Sequence, residues 1–408
     1  MRSWAEPYQI EQVLRERLGL LSDGQRRGLA LWVCGTILAR SGCQSAVVAA
    51  LLVLGEWHAL RQRLREWVRD GADKAVPCQS EVEPTACFAP LLRWIVDWWV
   101  GEQLPLALDA TSYGTHWTAL VVSVLYRGTA IPVAWFVQPG NTPGGWLEPI
   151  STLFDRLAPA VPRSWLVVVL ADRGLWSPHI WASIRAHGWH PLLRLQGTCT
   201  FQPDGAPRQS ARTLVSGPGH AWVGAGRAFN PNRKRIVGTL IVIWVEGQLA
   251  PWVLLTDLPP HVVGPSWYAL RFWIELGFRA LKAAGWQWEH TRRIHTARVS
   301  RHWLVLAVAT LLTLAYGSRA EDADFLRIDP DLLDFPPFPD RCLPRPRPRP
   351  RVVSVFRRGL AFLTRHLYAR TLWSSLWLLP DPWPVPPSLL RVTYHPSRDS
   401  PSSLHTYP

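Results

Sequence analysis

Tyr268, Arg271, Glu275 and Lys282 are spaced so that a single helix would present all four on one face. At about 100° per residue, the last three fall at about −60°, −20° and −40° from Tyr268, and Arg279 follows at about +20°. The run that holds them, SWYALRFWIELGFRALKAAGWQWE, lacks proline and has glycine only at Gly277 and Gly285, so it predicts a helix. A carboxylate framed by cations and a phenol has a definite chemical use. The carboxylate can ligate a divalent metal, while the cations and the phenolic hydroxyl hold phosphate oxygens. The plain alternative is a solvated helix face on which Arg271 and Glu275 pair at i, i+4.

Metal-assisted phosphoryl transfer needs further carboxylates, because two ions about 3.5–4 Å apart serve the attacking and leaving oxygens. Asp109 and Asp172 are the candidates. Each closes an apolar run, LPLALD and WLVVVLAD, and each precedes turn-prone residues, Ala110-Thr111-Ser112 and Arg173-Gly174. Taken singly, either aspartate is also what an Asx turn at a strand end requires. Glu148 and Asp155 fall on a predicted helix, and Asp204 and Asp257 in or beside loops, so they fit the role less well.

The elements that must position these groups change in texture along the chain. Residues 1–95 read as a helical N-terminal DNA-binding region, with a basic ridge of Arg61, Arg65 and Arg69 at i, i+4 and i+8 in WHALRQRLREWV and beyond. That ridge is either a DNA-contacting helix face or a solvated one. Residues 100–198 read as an antiparallel meander (LPLALDA, WTALVVSVLYRG, AIPVAWFVQP), a helix near 145–157, then strand, helix and strand. Residues 199–260 form a β-rich insertion, and residues 261–317 supply the stripe helix and a buried helix, HWLVLAVATLLTLAY. Order is expected to weaken after Ser318, in a Pro/Arg-rich, partly disordered tail over 318–408. Within it, PRPRPRPR (344–351) should be extended and polyproline-like.

Composition points to an anionic partner. There are 44 basic residues against 30 acidic ones, for a net charge of +14. The only lysines are Lys74, Lys234 and Lys282, and arginine is the side chain suited to bidentate phosphate contacts. Compositional drift toward Arg, Ala, Pro and Trp is the competing explanation. The six cysteines form no CxxC and lack matching histidines, which argues against a zinc site and fits free thiols in a reducing cytosol. No apolar segment of the kind that heads a signal peptide is present near the N-terminus, so the expectation is a cytoplasmic, nucleoid-associated protein. The apolar runs near 29–54 and 304–316 fall short of the roughly 20 residues a span needs, so no membrane partner is expected.

Asp109 in LALDAT, Asp172 in LADRG, a β-rich insertion, and then Tyr268-x2-Arg271-x3-Glu275-x6-Lys282 resemble the DDE transposases of bacterial insertion sequences. The closest likeness is to the insertion-sequence family four type with its Tyr-Arg-Glu-Lys signature. The resemblance covers roughly residues 100–317 and implies a ribonuclease H-like mixed α/β sheet core interrupted by the strand insertion. It implies that Asp109, Asp172 and Glu275 ligate Mg²⁺ (or Mn²⁺), and that Tyr268, Arg271 and Lys282 contact phosphate at the element end. It further implies strand cleavage and strand transfer on double-stranded DNA at terminal inverted repeats, with hairpin ends and a homodimer on paired ends. Trp222, Trp244 and Trp252 of the insertion are candidates to stack on an extruded base, against a packing role in a chain with 25 tryptophans. Arg233, Lys234 and Arg235 could touch phosphate from a turn, as could Arg279 from the stripe. The alternatives are a catalytically inactive end-binding remnant and a different ribonuclease H-like nuclease.

Overall fold

The computed structural model describes residues 5–74, 80–142, 145–229, 235–333, 336 and 351–395. Five helices come first: α1 (Ala5–Arg17), α2 (Asp23–Ala39), α3 (Gln44–Ala50), α4 (Trp57–Val68) and α5 (Phe88–Trp98). Strands β1 (Gln103–Tyr113), β2 (Trp117–Tyr126) and β3 (Thr129–Pro139) follow, then α6 (Leu147–Leu157). Next are β4 (Leu166–Ala171), α7 (Pro178–Ala186), β5 (His190–Arg194), β6 (Thr200–Pro203), β7 (Gln209–Ser210), β8 (His220–Phe229), β9 (Arg235–Trp244) and β10 (Trp252–Thr256). The last elements among the described residues are α8 (Phe272–Arg279), α9 (Thr296–Leu326), α10 (Val355–Ala369) and β11 (Arg391–His395). The fold is mixed α/β with a helical N-terminal region, as the sequence predicts. It divides into two compact units, Met1–Trp165 with Phe272–Pro382, and Leu166–Arg271 with Trp383–Pro408.

In the first unit β1, β2 and β3 form the expected antiparallel meander. Leu104 to Leu108 of β1 are buried without alternation, so both faces of the strand are covered; burial eases at Asp109. The β2–β3 hairpin turns on Arg127-Gly128, at φ 43° and 82°, the pair of positive angles that a two-residue turn needs to follow the strand twist. Pro132 of β3 cannot donate to a ladder, and the register slips beside it, between Val122 and Ser123 of the partner strand. Ser22 caps α2 through a reciprocal box with Gln25.

Two expectations need correction in this unit. The run at 304–316 belongs to the 31-residue α9, which is long and apolar enough to cross a membrane; its apolar window is wholly buried against protein. A helix apolar all round needs cover on every side, and α2, α10 and β3 supply it. The second correction is the boundary at Ser318, which falls inside α9. Further along, Arg351 pairs with Glu321 and Asp381 at 2.7 and 2.8 Å. Arg127, fully buried, meets Glu321 at 3.0 Å, Asp322 at 2.6 Å and the Leu379 carbonyl at 2.7 Å. These pairs fasten the 351–382 segment to the β2–β3 turn and α9. Most of the 344–351 repeat lies outside the described residues, with Arg351 as the exception.

In the second unit the strand order is β4-β5-β10-β9-β8-β6-β7, with β11 added in parallel along β8. β4 and β5 are parallel and joined through α7. β10 pairs antiparallel with β5, so the strands of the 199–260 segment extend the sheet that β4 and β5 begin.

Candidate active site

The stripe is not one regular helix. Residues Trp267–Arg271 form a 3-10 turn, Phe272–Arg279 is α8, and Ala280–Ala284 is a π turn. A 3-10 turn advances about 120° per residue and a π turn fewer than 100°, so the single 100° face predicted from the sequence does not exist. The causes are tertiary. A Cβ at Gly277 would stand 2.8 Å from that of Ala130, so α8 lies close on the start of β3. The π turn closes at Gly285, where a Cβ would meet the Ala280 carbonyl oxygen at 2.5 Å, and the Trp286 N–H donates to that oxygen at 2.9 Å. The boundary between the two units also falls here, after Arg271.

In the second unit Asp172 follows the last residue of β4, and its side chain accepts the Arg173 N–H at 2.7 Å, the Asx-type cap the sequence allowed for. Two guanidinium groups face the same carboxylate, Arg194 at 3.5 Å and Arg271 at 3.9 Å. Tyr268 is buried, and its hydroxyl donates to the carbonyl of Ala171 at 3.2 Å, immediately before Asp172. The Tyr268 ring meets Trp252 edge-on at 5.6 Å, and Arg194 lies over the other partner of that contact, 5.7 Å from the Trp252 ring centre. Trp252 is therefore occupied by Tyr268 and Arg194. Chemically, this cluster fixes one half-exposed carboxylate between two arginines that can also reach phosphate oxygens.

Arg194 was missed by the sequence reading. The signal lay in strand pairing: Ala171 is in register with Leu193 across the parallel β4–β5 pair. The residues that follow them, Asp172 and Arg194, are therefore neighbours. That register is not visible until the strands are known to be adjacent.

In the first unit Asp109 lies in β1 opposite Val121, and its side chain accepts the N–H of Ala110 at 2.9 Å. Glu275 is exposed in the first turn of α8, where a carboxylate suits the helix dipole. Lys282 reaches the carbonyl of Ser112 at 3.5 Å, three residues beyond Asp109, and Glu289 at 3.6 Å. Its ammonium also lies 5.9 Å from the centre of the Trp288 ring, which packs on Trp117 and Tyr113. Arg279 is exposed at the end of α8.

Of the other predicted contacts, Arg61 and Arg65 are exposed on α4, with Leu60, Leu64, Trp67 and Val68 turned inward as expected. Arg69 lies just past the helix and pairs with Glu66 at 3.0 Å. Trp222 is buried against Phe201 and His395, a packing role. The Trp244 indole donates to the Gln248 carbonyl at 2.8 Å. Arg235 is exposed where β9 begins, while Arg233 and Lys234 lie outside the described residues.

The Mg²⁺ expectation was tested on the donors themselves. Among the described residues no three Asp, Glu, His or Cys side chains gather into a group that could hold a metal ion. Asp172 instead has its charge answered by Arg194 and Arg271.

Residues 148–312 match the family model of the transposase DDE domain, a span that includes Asp172, Tyr268, Arg271, Glu275 and Lys282. The match supports a DDE transposase. None of the curated proteins matches the chain.

Proposed function

We propose that this chain is a DDE transposase of the Tyr-Arg-Glu-Lys type, which cleaves DNA at the ends of an insertion sequence and transfers the freed strand to a target. The observation that carries the reading is the match of residues 148–312 to the transposase DDE domain, which takes in the arginine-framed Asp172. In this reading Asp109, Asp172 and Glu275 are the catalytic carboxylates. Arg271 and Lys282 bind phosphate oxygens, and Tyr268 holds the backbone that carries Asp172. Each step is an in-line displacement at phosphorus, so the protein's contribution is positioning and charge neutralisation rather than a covalent intermediate. The requirement for a divalent cation, Mg²⁺ or Mn²⁺, hairpin ends, action as a homodimer on paired ends, and a cytoplasmic location belong to the same proposal.

The test is a nicking and joining assay on a duplex carrying the inverted repeat that flanks the gene, with and without Mg²⁺ or Mn²⁺. Metal-dependent cleavage by the natural protein, abolished in Asp172→Asn with DNA binding retained, is the expected result. Tight binding with no cleavage under any metal would identify an end-binding protein that has lost its chemistry.

A further inference from the structure

Where the 3-10 turn Trp288–Thr291 ends, before α9, the first unit carries a short basic segment, His290 to Arg293, that the catalytic reading leaves unused. Arg293 is its unusual member. Its guanidinium lies 5.7 Å from the centre of the buried Trp32 ring, and its Nε is shielded from solvent with no hydrogen-bond partner among the described residues. No ion pair to Arg293 occurs among those residues either. Burial, with Arg298 nearby and against an opposing contribution from Cys43, pulls its pKa down to about 10.

The acids around the segment are committed elsewhere. Glu289 faces Lys282, Asp70 faces Arg298 and Arg301, and Asp73 faces Arg298. Arg292, exposed and held at φ 51°, adds a second charge beside Arg293. The segment is tied to the N-terminal helices at two points. The Cys43 thiol lies 3.8 Å from the His290 carbonyl, and the next residue, Gln44, donates to the Arg61 carbonyl at 2.8 Å. Trp32, under Arg293, donates its indole N–H to the Leu64 carbonyl at 3.0 Å, between Arg61 and Arg65 on α4. One packed connection therefore runs from Arg293 to the exposed arginines of α4.

We propose that Arg292 and Arg293, together with Arg61 and Arg65, form a second phosphate-binding surface that grips the DNA backbone away from the reacting carboxylates. A guanidinium buried on one side and lacking a counter-charge gains most from an anion brought by the ligand. Arginines spread over a surface suit a repeating phosphodiester. The inference rests on the reading of the chain as a DNA-acting protein.

The experiment is fluorescence anisotropy on a duplex of arbitrary sequence between 50 and 200 mM KCl, for the natural protein and Arg61→Gln, Arg292→Gln and Arg293→Gln. Each lost phosphate contact should reduce the salt slope by about 0.9, narrowing the affinity ratio between the two salt concentrations by about 3.5-fold. Arg293→Lys, which keeps the charge, should retain more of the slope than Arg293→Gln. Natural slopes in all three glutamine variants would overturn the proposal. Should Arg293→Gln fail to fold, the exposed Arg61 and Arg292 decide it. Asp172→Asn separates the two readings, since it should lose cleavage and keep the slope. Absence of any DNA binding by the natural protein would overturn both.

Discussion

Replacing Arg127 by Met should cost about 3–5 kcal/mol of stability, the range for removing one member of a buried ion pair and leaving its partners behind. The guanidinium is fully buried, with Glu321 at 3.0 Å, Asp322 at 2.6 Å and Asp381 at 4.0 Å. Arg351 still reaches Glu321 and Asp381 in the variant, so the missing charge is felt most at Asp322, which keeps the Trp377 indole N–H at 3.0 Å. That compensation places the expectation near the lower end, about 3 kcal/mol. A second term has the opposite sign. Arg127 occupies the left-handed region at φ 43°, a conformation that costs a residue with a Cβ about 1 kcal/mol and that Asn tolerates better. Arg127→Asn should therefore lose about 1 kcal/mol less than Arg127→Met.

Urea unfolding followed by tryptophan fluorescence measures both losses, and hydrogen exchange locates them. The Leu378 amide, which donates to the Trp98 carbonyl at 2.6 Å, should exchange faster in both variants because Arg127 also holds the Leu379 carbonyl. A loss under about 1 kcal/mol in Arg127→Met, or a larger loss in Asn than in Met, would refute the assignment of this network as the fastening of residues 351–382.

Tyr268→Phe should fold with a loss of about 1 kcal/mol and slow cleavage while leaving the Kd for DNA within about twofold, because the hydroxyl serves the Ala171 carbonyl. Weaker binding with unchanged turnover would assign that hydroxyl to phosphate instead. His302 gives a pH prediction. It is buried, and desolvation, reinforced by the charge of Arg293 against a single opposing backbone bond from Gly42, holds its pKa well below the usual 6.5. The unfolded chain therefore binds a proton below about pH 6.5 that the folded chain refuses, so stability drops as the pH is lowered, by up to about 1.4 kcal/mol per unit. His302→Gln should flatten the stability profile between pH 6.5 and 5. A profile as steep as the natural one would show that other groups cause the slope.

Most strands were legible because their patterns are local. The apolar run ending at Asp172 became β4, the three runs from Leu104 became an antiparallel meander, and the 302–316 run lies within α9. What could not be read depends on contacts distant in sequence. The change from 3-10 to α to π around Glu275 goes with close approaches of Gly277 to Ala130 and of Gly285 to Phe356, neither visible in a residue period. The weakening of order expected after Ser318 leaves out Arg127, whose partners lie roughly 190 to 250 residues away. Arg351, at the edge of the arginine-rich repeat, has its partners Glu321 and Asp381 only in the folded chain.

The burial of Tyr268 alters what its spacing means. A phenol, two cations and a carboxylate at fixed intervals look like four groups pointed at one substrate. The Tyr268 hydroxyl donates to the backbone that carries Asp172, and its ring meets Trp252, over which Arg194 lies. Lys282 is held similarly, with its ammonium near the Trp288 ring and reaching the carbonyl of Ser112 on the strand of Asp109. In this reading each braces a strand or strand end that bears an acid, and a brace tolerates substitution differently from a ligand. Phenylalanine at 268 keeps the packing and loses one hydrogen bond, whereas alanine would lose the packing beside Arg194 and Asp172 as well. If Tyr268 is a brace, phenylalanine should slow cleavage and leave the Kd for DNA nearly unchanged; if it is a phosphate ligand, phenylalanine should weaken DNA binding as well.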